Sequence, residues 1–277
     1  MLFVSLPWYD LKETMAPTNA LWEHLASRLR NRGVRNVPDR LRREISYQEQ
    51  WTSGKLLFSQ ACGYDVLLPF RDHLRIIATP IYQAAGCSGP WYSSAVVVRE
   101  DSRAEHLEDL RGSRCVINSL TSHSGMNALR AMVAPLHCNG KFFSSVRVSS
   151  SHETSLEMIA RGKADVAAID GVTYTLLKRH RAHVLSSTRV LCHSQRVPAP
   201  PFVTSSQTTE EELQRIQAAL FETLEDSTIC TIKDELLLGG AEILSLECYE
   251  SISEWEQEAR RLGYGEIQSL CGREDYS

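Results

Sequence analysis

The sequence predicts an α/β protein built as two lobes, and three observations carry that expectation. Short apolar runs repeatedly end in a polar turn that opens into an amphipathic stretch, as at residues 115–118, 146–148 and 164–169. Such a β-turn-α rhythm belongs to sheets covered by helices, with largely parallel strands. A chain of 277 residues is long enough to divide into two cores. Two places invite a crossing between them: the β-rich run 93–99 and the run containing Pro198, Pro200 and Pro201. Two crossings make one lobe discontinuous, with residues 1–97 plus 196–277 in one lobe and 98–195 in the other.

Taken in order, residues 2–6 read as a buried strand that ends in a loop carrying Trp8 and Tyr9. Thr18 is placed to cap a helix with Leu21, Trp22, Leu25, Ala26 and Leu29 on one face and Gly33 as its stop. Residues 34–52 show little pattern beyond a weak strand around Ile45. Residues 55–62 read as a helix with Gly63 as its C′ residue, and 65–68 as a short strand. Residues 74–82 are β-rich despite Pro80, and 93–99 form a strong strand. A short helix at 107–112, a strand at 114–118 and a helix from about Ser124 to Val133 follow. Next come a strand at 146–148, a Ser-rich turn at 149–152 and a helix over 153–161 that Gly162 ends. The strand 164–169 delivers Asp170 at its tip, ahead of a helix at 173–179. Beyond it lie β runs at 188–192 and 202–204 and a helix capped by Thr208 or Thr209. A turn and strand within 236–246 and a last helix over 252–262 complete the pattern.

Composition narrows the function classes. Hydrophobic residues at 43% and charged residues at 23% describe an ordinary globular protein. A net charge of −4 argues against a general nucleic-acid binder. The basic run Arg28, Arg30, Arg32, Arg35, Arg40, Arg42 and Arg43 lacks interleaved aromatics and reads as a solvated face. No apolar run approaches the roughly 18 residues of a membrane span. The N-terminal run has no basic leader, so the chain reads as cytoplasmic, without membrane insertion. The eight cysteines, at 62, 87, 115, 138, 192, 230, 248 and 271, show neither CxxC nor zinc-ligand spacing. No metal or cofactor is therefore expected, and the thiols are expected to be mostly buried and outside disulfides.

Residues 119–130 hold the most chemistry. Ser119, Thr121, Ser122 and Ser124 crowd a strand-to-helix junction beside Gly125, with no acidic side chain among them. The first turn of a helix has unpartnered N–H groups and the positive end of the dipole. A Ser/Thr-rich turn there hydrogen-bonds a small oxyanion without Lys or Arg. The plainer alternative is an ordinary N-cap. The turns at 122–125 and 149–152, Asp170, and Trp8 with Tyr9 would all lie at carboxyl ends of strands, where such sheets bind ligands.

The order of several motifs adds a resemblance. Tyr92-Ser93-Ser94-Ala95-Val96-Val97-Val98-Arg99 is followed by residues 107–112 and then Thr121-Ser122-His123-Ser124-Gly125. Ser151-His152-Glu153-Thr154-Ser155-Leu156, residues 162–170 and residues 201–205 come after them. Together they resemble the phosphate/phosphite/phosphonate-binding branch of the type II periplasmic solute-binding proteins of ABC transporters. The resemblance spans nearly the whole chain and is most specific at 119–130 and 149–170. It implies a type II periplasmic-binding-protein-like fold, two α/β lobes around a cleft joined by two crossover strands, closing on a small anion. By the same resemblance, Thr121, Ser122, Ser124 and the N–H groups of Gly125 and Met126 would hold the anionic head, in one turn with His123. His152 would be a further donor, Asp170 an acceptor facing the ligand, and Tyr9 and Tyr92 aromatic walls or hydroxyl donors. An ABC-transporter permease is the implied protein partner. Family members that work in transport are exported, whereas the N-terminus here shows no leader.

The leading functional reading is thus a non-catalytic binding protein for a small phosphate- or phosphonate-like anion. A second reading keeps the fold for a sensor or accessory protein with a larger organic ligand, lined by Trp8 and Trp91. A third is an enzyme pairing His152 with Glu153 and Asp170, or Ser124 with His123. Against it, the sequence has no nucleophile elbow, metal-ligand set or Walker loop. If Asp170 faces an anion, it must accept a hydrogen bond from a protonated ligand oxygen or amine and so reject sulfate. Its alternative is to cap the helix that follows.

Overall fold

The computed structural model describes residues 2–267. The chain divides into two units, residues 2–92 with Val197–Glu250, and Ser93–Arg196 with residues 251–267. The first unit opens with β1 (Phe3–Val4), α1 (Met15–Asn31), α2 (Tyr47–Thr52), β2 (Leu56–Gln60), α3 (Gly63–Leu67), β3 (Leu74–Tyr82) and β4 (Trp91–Tyr92). The second runs through β5 (Ser94–Arg99), β6 (Arg114–Ile117), α4 (Ala128–Val133), β7 (Ser145–Val148) and α5 (His152–Ala160). It continues with β8 (Val166–Asp170), α6 (Gly171–His180), α7 (Ala182–Leu185) and β9 (Thr188–His193). The chain then returns to the first unit with β10 (Val197–Pro198), β11 (Phe202–Ser205), α8 (Glu210–Glu225), α9 (Cys230–Glu235) and β12 (Leu238–Glu242). Helix α10 (Glu247–Arg261) begins in the first unit and ends in the second.

This division differs from the sequence expectation at two points. β5 stays whole in the second unit, and the chain after Glu250 leaves the first unit. Ala259, Tyr264 and Ile267 are buried in the second unit's core with Leu129 and Val133, which ties residues 251–267 to that unit. Residues 268–277, Cys271 among them, lie outside the described residues. No disulfide joins the seven described cysteines; Cys62 and Cys115 are buried, whereas Cys138 and Cys230 are exposed, against the expectation of buried thiols.

The sheets are mixed, not largely parallel. Their orders are β1-β2-β11-β3-β12 and β7-β6-β8-β5-β9, with a separate β10-β4 ribbon. In the first sheet β11 lies between β2 and β3, antiparallel to both. In the second, β5 lies between β8 and β9, again antiparallel to both. Each inserted strand lies far in sequence from the two strands that flank it, so no local βαβ crossover fixes its direction. The parallel pairs that remain are β1 with β2, and β6 with both β7 and β8. Because β6, β7 and β8 run the same way, the turns at residues 118–124, 149–152 and 170 emerge on one edge of the second sheet.

Three local expectations also change. Residues 56–60 are a strand buried along its whole length, and Gly63 begins α3 instead of ending a helix. A short apolar run buried on both faces has no alternation to separate it from a helix. Helix α1 starts one turn before Thr18, whose hydroxyl donates back to the Thr14 carbonyl at 2.7 Å. The weak strand around Ile45 is instead the approach to α2, whose cap Ser46 accepts from the Glu49 N–H at 3.2 Å.

Candidate functional site

β6 ends at Ile117, and the chain turns through Ser122, which caps the next helix by accepting the Gly125 N–H at 3.0 Å. The helix opens with a π-turn, His123–Asn127, before the regular turns of α4. Its extra residue appears in the bond from the Asn127 N–H to the Ser122 carbonyl, 3.0 Å long. On the neighbouring strand tip, Ser151 caps α5 by accepting the Thr154 N–H at 3.0 Å, and His152 is the first residue of that helix. The two turns meet where Ser124 Oγ lies 3.0 Å from His152 Nε2. Gly125 sits against the same pair: a Cβ there would fall 1.8 Å from Asn118 Oδ1 and 3.1 Å from His152 Cε1. Any side chain there would have to displace Asn118.

The electrostatics are unusual for an anion site. The side chains that these bonds join include neither Lys nor Arg. His152 is half-buried, but burial of its ring lowers its pKa from 6.5 to about 4, so it is neutral at pH 7. Its Nδ1 and the Asn118 Oδ1 are both buried and have no hydrogen-bond partner among the described residues. Two such atoms beside one glycine are what an ordered water, or a ligand oxygen that carries a proton, would satisfy. Asn118 was missed in the sequence; its one signal was a polar residue directly at the tip of β6.

The other expected residues are distributed unevenly. Thr121 is exposed, with its hydroxyl 3.0 Å from Ser119 Oγ. Met126 is a core residue, leaving its backbone N–H as the group available in the first turn. His123 is turned away into the interior, where Nδ1 lies 3.2 Å from Asn127 Nδ2 and the ring rests 5.4 Å from that of Trp255. Burial, assisted by Arg130, holds its pKa down at about 3. Asp170 Oδ1 accepts the N–H groups of Val172 and Thr173, both at 2.9 Å, which is the helix-capping alternative. Glu153 is held by the Arg181 guanidinium at 2.7 Å through both oxygens, so the enzyme-like grouping of His152, Glu153 and Asp170 does not form.

Tyr9 and Tyr92 belong to the first unit. Tyr9 has a left-handed backbone (φ 62°) and packs edge-on against Tyr82, with ring centroids 5.1 Å apart. A bulky residue in that conformation is strained, a feature that gathers at functional surfaces. Gln60 Nε2 donates to Tyr82 Oη and to the Pro200 carbonyl, both at 2.8 Å. Tyr92 is buried on β4, opposite Val197. Trp8 stacks on Trp51 at 5.8 Å, the packing role, and not a free aromatic wall.

A family model for the phosphonate periplasmic substrate-binding protein of ABC transporters matches residues 3–242. No curated protein matches the sequence. Among solved structures, PhnD1 of Prochlorococcus marinus in complex with methylphosphonate aligns at TM-score 0.73 and 15% identity, over 94% of this chain and 98% of that one. The binding-protein component of a phosphonate ABC transporter from Pseudomonas aeruginosa aligns at 0.72 and 16%, over 94% and 87%. A Xanthomonas citri protein bound to ATP gives 0.69 and 16%, over 94% and 97%. At such identities the likeness speaks for the fold, that of the type II periplasmic binding proteins. With the family match covering most of its length, the chain belongs to the phosphonate-binding family of ABC-transporter substrate-binding proteins and serves as a solute-binding protein.

Proposed function

We propose that the solute is a small phosphonate- or phosphate-like anion, held at the turn from Ser122 to Met126 together with His152, and that the protein does no chemistry on it. The observation that carries this reading is the meeting of Ser124 Oγ with His152 Nε2 at 3.0 Å, beside a glycine with no room for a side chain. Hydroxyls, first-turn N–H groups and the positive end of a helix dipole suit an oxyanion without a full opposing charge. In the tautomer that donates through Nε2, neutral His152 serves the anion by orienting the Ser124 hydroxyl, whose proton is left for the ligand, and makes no donation of its own to it. As a catalytic pair, Ser124 and His152 would need a third group to orient Nδ1, which has no partner among the described residues. A base with a pKa near 4 is also poorly matched to proton abstraction at pH 7.

Titration calorimetry with methylphosphonate, phosphate, sulfate and ATP tests the proposal. Methylphosphonate or phosphate binds the wild type, and Ser124→Ala weakens both at least tenfold, roughly the 1–3 kcal/mol of a buried polar group left unpaired. Binding by ATP alone would move the reading to a larger ligand. Incubation with p-nitrophenyl phosphate and with methylphosphonate releases no phosphate above the buffer control; release that Ser124→Ala abolishes would establish an enzyme instead.

A further inference from the structure

The turn proposed to hold the anion is itself held from behind. Asn127, the last residue of the π-turn, is fully buried, and both its amide oxygen and its amide nitrogen are hydrogen-bonded. Its Oδ1 accepts from Arg130 Nη2 at 2.5 Å. Its Nδ2 donates to the Ile252 carbonyl at 2.9 Å and faces His123 Nδ1 at 3.2 Å. A flipped amide would set a donor against the guanidinium and an acceptor against a carbonyl, so the assignment is fixed by chemistry. It follows that His123 Nδ1 is an acceptor and that its proton is on Nε2.

Arg130, only 4% exposed, extends the arrangement. Its Nη1 donates to the Gly265 carbonyl at 2.8 Å, and its Nη2 lies 3.6 Å from Glu256 Oε2. Ile252, Trp255 and Glu256 are on α10, and Gly265 follows it. The contacts that Asn127 and Arg130 send out of the π-turn and α4 end on residues 252–265, beyond the stretch 3–242 that the family model matches. Without that segment Asn127 would lose an acceptor, His123 its aromatic neighbour, and Arg130 a carbonyl and a carboxylate. A buried guanidinium cannot stay in place once its partners are removed.

We propose that residues 252–265 are the positioning element of the anion-binding turn, acting through Asn127 and Arg130 without touching the ligand. The proposal rests on the anion-binding reading of the Ser124 turn. A π-turn breaks the regular bond ladder of a helix and persists where outside contacts hold it. Here the outside contacts are the Ile252 carbonyl and, through Arg130, Glu256 and the Gly265 carbonyl. If docking of α10 raises anion affinity, the anion must by linkage tighten the docking of α10 by the same factor.

That reciprocity is what hydrogen exchange reads. In the wild type, saturating methylphosphonate slows amide exchange across residues 252–262 as well as at 123–127. In Arg130→Gln, methylphosphonate affinity falls at least tenfold by calorimetry at a temperature well below the variant's own unfolding midpoint. The milder Glu256→Gln falls less in affinity, and it replaces Arg130→Gln if that variant does not fold. Ser124→Ala loses affinity yet leaves exchange at 252–262 in the ligand-free protein unchanged, separating contact from positioning. Ligand protection confined to 123–127, or full affinity in Arg130→Gln, overturns the proposal. If the wild type binds none of the anions, the functional reading fails on its own. The positioning claim is then decided in the ligand-free protein. Faster exchange at 123–127 in Arg130→Gln or Glu256→Gln sustains it, and unchanged exchange overturns it.

Discussion

A methyl group at position 125 would meet the Asn118 amide oxygen at 1.8 Å and the His152 ring at 3.1 Å. Gly125→Ala must therefore displace Asn118, and through it the face that Ser124 and His152 share. The expected cost is about 1–3 kcal/mol of stability, the usual penalty for overpacking, with at least a tenfold loss of methylphosphonate affinity. Denaturant unfolding and calorimetry on the same preparation check the two effects; wild-type affinity would mean that the turn tolerates the shift. Asp170 shows how one residue type serves two readings. Its Oδ1 bonds two N–H groups at the start of α6, so Asp170→Asn should cost roughly 0.5–1 kcal/mol from the weakened cap and the lost charge at a helix N-terminus. The same calorimetry decides whether it also governs sulfate rejection. Thr121 is exposed and bonded to Ser119, so Thr121→Ala should change methylphosphonate affinity less than twofold, in contrast to Ser124→Ala.

Among the elements, those with local punctuation were legible. The strands near 115 and 166, the helix after Ser151 and the helix after Thr209 all start or stop at residues whose chemistry acts within a few positions. Ser151→Ala should remove about 1 kcal/mol of stability through the lost cap. Because α5 begins at His152, it should also weaken methylphosphonate binding several-fold, an effect that a cap mutation elsewhere, such as Ser46→Ala on α2, does not produce. The π-turn was not legible, since nothing in Ser122-His123-Ser124-Gly125 distinguishes it from a regular first turn. Its register depends on Asn127 reaching Ile252, which is 125 positions away. β2 was misread for a related reason: hydrogen-bonded pairing with β1 on one side and β11 on the other fixes it as a strand, and β11 lies more than a hundred residues later.

Across the whole molecule, buried titratable groups set the response to acid. His123 and His152 are neutral when folded, with pKa values lowered by burial to about 3 and about 4. Between about pH 6.5 and 4 the unfolded chain therefore binds protons that the folded chain does not, and stability falls as pH is lowered through that window. Asp65, in the first unit, works in the opposite direction: burial raises its pKa from 3.8 to about 6, so its contribution is lost as pH rises through that interval. Thermal unfolding from pH 7.5 to pH 4 should show a falling midpoint, and Asp65→Asn should make the fall steeper; a midpoint flat across the window in both proteins would contradict the assigned environments. By itself the sequence determined the α/β class, the strand-turn-helix units that carry Ser122, Ser124 and His152, and the family resemblance. Each of these rests on residues close together in the chain. Only the tertiary structure decided that the inserted strands run antiparallel, that His152 and not His123 meets Ser124, that Asn118 presents there an oxygen with no partner among the described residues, and that the end of α10 belongs with the second unit. Those outcomes depend on which distant groups arrive to satisfy a buried polar atom or cover an apolar face, and no local pattern records the arrival.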